Sequence, residues 1–287
     1  MTKHKKQNKF GLFVVLGFIV AIALIVGLIS LFKNAKTEPE IAQTVQKQSA
    51  PSSNPIGVES SVLQWEQTEA GWQPKGTPPT CASNLSLNMP VKSDNVISVF
   101  YPGQMRDGVY KSEGGFKFID GSNVQKIVAP GSGFLVRGAR YLTQGEEQYT
   151  FDVMNNCGAM YRLSHLRILT DDFQKIADTW AQPVEGDESS NLQQISPAKP
   201  IQQGALIATK VGILATKNSF FSFGVYDYRA QNEASKLADF QAKHQEDKAL
   251  SWYGTCWLRW LPQTDFNKLL LLPSAVLASG KISDYCK

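Results

Sequence analysis

Between residues 96 and 228 the chain breaks into short apolar runs punctuated by glycine and proline. Candidate strands cover residues 96–101, 126–130, 133–138, 148–154, 159–166, 205–212 and 220–228. Several alternate apolar with polar residues, the period of a strand with one buried face. Turn formers separate them; Gly131-Ser132-Gly133 reads as a hairpin connection and not as a phosphate cradle. Many short strands so spaced predict an all-β barrel or sandwich. One helix is expected over residues 171–181, where Phe173, Ile176 and Trp180 recur at helical spacing. With 43% apolar and 19% charged residues, the chain has the material for a packed core.

The flanks divide the chain further. Residues 10–32 run for twenty-three positions without a charge. A helix of that length crosses a hydrocarbon core of ~30 Å. A cleaved secretory signal has a shorter apolar region, usually ~7–15 residues, so the stretch reads as a single transmembrane helix. Lys3, Lys5, Lys6 and Lys9 then hold the tail, residues 1–9, in the cytoplasm by the positive-inside rule. The expected location is the cell membrane, with the main domain extracytoplasmic. Residues 33–61, with Pro39, Pro51 and Pro55 among Ser, Gln and Thr, read as a flexible linker. The β domain is expected over 62–228; its first stretch holds Trp65 and Trp72, read as core packing before a carbohydrate-binding face. Residues 229–287 take on a helical texture, with Ala234, Leu237, Ala238 and Gln241 along one side, and are expected as a small helical appendage.

Charge and cysteine content narrow the function classes. The net charge of +4 equals the four amino-terminal lysines, so the remainder balances and carries no footprint for nucleic acid. Cys81, Cys157, Cys256 and Cys286 all follow the apolar stretch. An even count in an exported domain favours two disulfides, with three possible pairings. Keeping each bridge within one region favours Cys81 with Cys157 and Cys256 with Cys286. No CxxC or CxH spacing points to a cysteine-bound zinc.

Motif order over residues 96–228 resembles the lysostaphin-type zinc endopeptidases, a peptidoglycan-cleaving family with a duplicated hybrid barrel. The family's H-x-G-x-D run matches Phe116-Lys117-Phe118-Ile119-Asp120, and its AP-x-x-G turn matches Ala129-Pro130-Gly131-Ser132-Gly133. Its Y-x-H-L resembles Tyr161-Arg162-Leu163-Ser164-His165-Leu166, with two residues added between Tyr and His. Residues 201–212 resemble its V-x-x-G-x-x-I-A-x-x-G segment through Gly204, Ile207, Ala208 and Gly212. The closing H-x-H-F corresponds to Phe220-Phe221-Ser222-Phe223. The resemblance implies a mainly β fold: a duplicated-hybrid-type barrel or sandwich outside the membrane, after one transmembrane helix and before a disulfide-closed α-helical appendage.

It also implies a degenerate site at Phe116, Asp120, His165, Phe220 and Ser222. The family holds zinc through the first His, the Asp and the last His, positions that here are Phe116, Asp120 and Ser222. A second catalytic His falls on Phe220. Catalytic zinc needs three protein ligands and an open position, and without it there is neither activated water nor a polarised carbonyl. No metal, no cofactor and no catalytic residue are therefore expected. Asp120 reads as a turn residue before Gly121, and His165 as a hydrogen-bonded, partly buried imidazole. Ser196-Pro197-Ala198-Lys199 and Ser93-Asp94-Asn95 match penicillin-recognising signatures only superficially, in the wrong order and with Pro197 breaking the required helix. The expected function is that of a binding, scaffold or regulatory module of the cell envelope, with peptidoglycan or a cell-wall hydrolase as the implied partner. Two alternatives stand beside it: an active metalloendopeptidase with displaced zinc ligands, and a lipoyl-like barrel adaptor of a secretion system.

Overall fold

The computed structural model describes residues 62–81, 86–119, 121–185 and 191–287. A hairpin of β1 (Trp65–Thr68) and β2 (Gly71–Pro74) comes first. Then follow β3 (Val96–Phe100), β4 (Gln104–Arg106), β5 (Val109–Lys111), β6 (Gly114–Phe118) and β7 (Val124–Val128). Two long strands, β8 (Gly133–Thr143) and β9 (Glu146–Met154), lead into β10 (Ala159–Leu169). Helix α1 (Asp171–Ala177) separates these from β11 (Gln193–Ile201), β12 (Leu206–Val211) and β13 (Phe220–Asp227). Short helices α2 (Ala238–Lys243), α3 (Lys248–Ser251) and α4 (Gln263–Leu271) follow. Two of the hairpins are made by left-handed residue pairs, Asp107-Gly108 at φ 51° and 80° and Gln144-Gly145 at φ 52° and 76°. Positive φ at both central positions is the tight turn that matches strand twist.

Seven strands hydrogen-bond in the order β11-β8-β9-β10-β13-β6-β3, and β12 branches from β10 to pair with β7. One face carries Phe116, Phe151, Leu163, Phe221 and Phe223, all fully buried. Helix α1 covers part of this face through Phe173, whose ring lies 5.4 Å from that of Phe151. Trp257, Leu258, Leu261 and Leu269 cover another part and belong to the same core cluster.

The expected fold class needs correction in three respects. The sheet is open and does not close into a barrel: β3 and β11 end the row without meeting. Each end is instead managed separately. Val99 donates to the Pro273 carbonyl and accepts from Ala275, so the chain's late residues lie along β3. The other end, β11, contains Pro197 and Pro200, which lack the N–H needed to extend a ladder. The carboxy-terminal stretch is not an appendage, because it supplies Trp257, Leu258, Leu261 and Leu269 to the main core. The transmembrane helix expected at 10–32 lies outside the described residues, and among the described residues no helix is long and apolar enough to cross a membrane.

The opposite face of the sheet is buried too, and it is polar. Arg137, Asp152 and Arg162 stand directly opposite one another across β8, β9 and β10. Asp152 is fully buried and accepts from Arg162 Nε at 2.7 Å, Arg162 Nη2 at 2.8 Å and Arg137 Nε at 2.7 Å. Burial by itself would raise this carboxyl; the two guanidinium groups outweigh it and hold it below its ordinary value. Arg137 also donates to the Tyr228 hydroxyl at 2.9 Å and lies over Trp72, which stacks on Tyr228 at 4.0 Å. The ionic row thus ties the β1–β2 hairpin to the sheet. Removing one member of such a set strands the others without compensation. Asp152→Asn is expected to lower the unfolding free energy by about 3 kcal/mol in urea titrations. A loss below about 1 kcal/mol, the scale of exposed pairs, would show that the row contributes little.

Candidate functional site

The residues implied by the resemblance fall on adjacent strands β6, β13 and β10, but the register separates them. Phe116 pairs with Phe221, while Ser222 pairs with Gly115 on one side and Ser164 on the other. Directly paired residues point the same way and successive residues alternate. Phe116 therefore lies on the apolar face, 4.9 Å from the Trp257 ring, and away from Ser222. Phe220 and Ser222 share the polar face. Asp120 lies outside the described residues. Of the five positions, the structure brings His165, Phe220 and Ser222 to one region. The disulfides lie elsewhere and join Cys81 to Cys157 and Cys256 to Cys286.

His165 owes its placement to a break in the ladder. The register between β10 and β9 shifts between Leu163 and Leu166, and His165 takes a left-handed φ of 63°. A residue inserted this way re-aims its side chain. Its backbone is pinned on both sides: the amide donates to the Tyr141 hydroxyl at 3.2 Å, and the carbonyl accepts from Gly212 at 2.9 Å. The half-buried imidazole lies 4.4 Å from the Phe220 ring.

The tautomer of His165 follows from its partner. Gln148 is fully buried and donates its Nε2 to the Gly212 carbonyl at 2.8 Å. That leaves Oε1 as the acceptor facing His165 Nδ1 at 2.6 Å. Nδ1 therefore carries the proton and Nε2 keeps its lone pair. Burial, with the charges of Arg106 and Lys111 added, pushes the imidazole down to about 3. Around it, Arg106 donates to the Glu113 carbonyl and lies over Phe100, and Ser164 Oγ donates to Glu113 at 3.4 Å.

This arrangement offers one uncharged imidazole, hydroxyl groups and an aromatic ring. It does not fit zinc: the first ligand position lies on the other face, and Phe220 and Ser222 supply a hydrocarbon ring and a weak neutral oxygen. Among the described residues no three His, Cys, Asp or Glu side chains gather as a metal ligand set. Tyr141, Gln148, Glu113 and Arg106 are not singled out by the sequence reading. Gln148 had a signal, because Gln148, Thr150 and Asp152 alternate with Tyr149, Phe151 and Val153. Arg106 and Glu113 sit in a short hairpin and its exit and had none.

No protein-family model matches the chain, and no curated protein does. The peptidase and peptidoglycan assignments expected from the resemblance have no relative behind them.

The geometry fixes a pH dependence. The folded chain keeps His165 neutral, whereas an unfolded chain protonates it below about 6.5. The unfolded state then binds more protons, so stability falls as the pH drops below about 6.5 and the loss levels off near 3. For one proton the slope is at most about 1.4 kcal/mol per pH unit. His165→Asn keeps a residue tolerant of left-handed backbone but cannot titrate. Its unfolding free energy between pH 7 and 4 is expected to vary less than that of the wild type. Parallel curves would show that His165 does not titrate abnormally.

Proposed function

We propose that this chain is a catalytically silent binding, scaffold or regulatory module acting on the extracytoplasmic side of the cell envelope. The reading rests chiefly on the ring of Phe220 against His165 at 4.4 Å. Where a metal-dependent hydrolase needs a set of converging nitrogen and oxygen ligands, this face offers one imidazole closed in by an aromatic side chain. That imidazole is committed to a structural chain of hydrogen bonds, His165 to Gln148 to Gly212. The extracytoplasmic assignment draws on the two disulfides, which persist in oxidising compartments.

The zinc content of the purified full-length protein tests the reading. After equilibration with zinc and dialysis, elemental analysis is expected to find well under one zinc per chain. One tightly held zinc per chain, lost in His165→Asn, would overturn it.

A further inference from the structure

Residues 273–286 form a strap across one border of the sheet. They contain no helix or strand, yet they bond to β3 and to the residues that lead from it into β4. The Val99 amide donates to the Pro273 carbonyl at 3.0 Å, and the Ala275 amide to the Val99 carbonyl at 2.9 Å. Further on, Gln104 Nε2 donates to the carbonyls of Gly280 at 3.0 Å and Ile282 at 2.6 Å. Ser283 Oγ donates to the Pro102 carbonyl at 2.5 Å, and the Asp284 amide to the Gly103 carbonyl at 3.0 Å.

The strap lacks apolar burial. Within it only Ser283 is buried, while Leu277 and Ile282 stand 94% and 80% exposed. A segment held by hydrogen bonds with few buried apolar contacts belongs to the low-stability end of a structure. Its one covalent hold is Cys286, bonded to Cys256 thirty residues earlier in the chain. Cys256 is 8% exposed and belongs to the main core. The near end continues from α4, whose Leu269 is fully buried. Both ends are thus moored to the core, and the bridge is the far mooring. Such a cross-link removes most of the open conformations that a free segment gains on release.

We propose that the Cys256–Cys286 bridge is a redox catch: its reduction by a dithiol releases the strap and uncovers β3. Cys286 is the less buried of the two cysteines, so its Sγ is the open point of attack. A thiolate of the dithiol bonds to it, and the Cys256–Cys286 bond breaks. Cys256 leaves as a thiolate and takes up a proton. The second thiol of the reductant then closes on the first, Cys286 leaves as a thiol, and the reductant departs as a cyclic disulfide. Two electrons and two protons have passed to the protein. Val99 then loses both partners on that border, and the strand-pairing edge of the sheet follows the thiol state of the surroundings.

Hydrogen exchange of the full-length protein at single amides, with and without dithiothreitol at pH 7, tests this. Alkylation and mass spectrometry report whether Cys256 and Cys286 have become thiols. After reduction the amides of Val99, Ala275 and Asp284 are expected to exchange at least about tenfold faster. Val128, whose amide donates to Pro90 away from the strap, is expected to change less than about twofold. The same reagent reduces Cys81–Cys157, so Cys256→Ser/Cys286→Ser isolates the catch: its three amides are expected to be fast without reductant. Should that variant not fold, Cys81→Ser/Cys157→Ser replaces it and is expected to respond to the dithiol as the wild type does. The proposal fails if the bridge resists the dithiol, or if the three amides stay protected once both cysteines are thiols. It fails equally if Val128 accelerates as much as they do, which is unfolding of the whole domain.

Discussion

A carboxylate removed from water must be compensated in place, and Asp152 meets that demand through two arginines on the strands either side of it. The requirement reaches beyond the local bonds. Because side chains alternate, a slip of one residue between β8, β9 and β10 would turn this row into the apolar core and expose Phe151 and Leu163 on the other side. The ionic row and the phenylalanine layer therefore enforce the same register from opposite faces. Arg137 extends the effect to Trp72 and the first hairpin.

The region around His165 depends on that register by departing from it. Up to Leu163 the strand β10 follows β9 in step; the bulge then spends one residue and sends the imidazole toward Phe220 and Gln148. The pairing resumes at Leu166, which is fully buried. The candidate site thus meets the fold at one inserted residue. Its surroundings are built for rigidity: amide, carbonyl and ring nitrogen each have a fixed partner.

Much of the sheet was legible in the residues. The central strands read through their alternation and their glycine turns, and α1 through Phe173, Ile176 and Trp180. The helix stops at Ala177, short of the periodic pattern, with Trp180 reached through a turn. Strand β11 escaped notice because Pro197 and Pro200 argue against a ladder; at a sheet edge that objection disappears. The site was less legible. Matching Phe116 to a ligand position counts along the chain, but the face on which a residue emerges depends on pairing with Phe221, a partner more than a hundred residues away. The bulge at His165 is likewise a property of two strands and not of one.

The segment laid along β3 has a consequence for how the protein is made. Val99 finds its partners in Pro273 and Ala275, which are synthesised long after it. A chain emerging from the ribosome carries the row of strands long before anything can occupy that border. Until that segment arrives, the backbone of β3 is open to any extended neighbour. Residues 273–275 therefore act as a seal on the nascent sheet, and a product that stops short of them is the form most exposed to self-association.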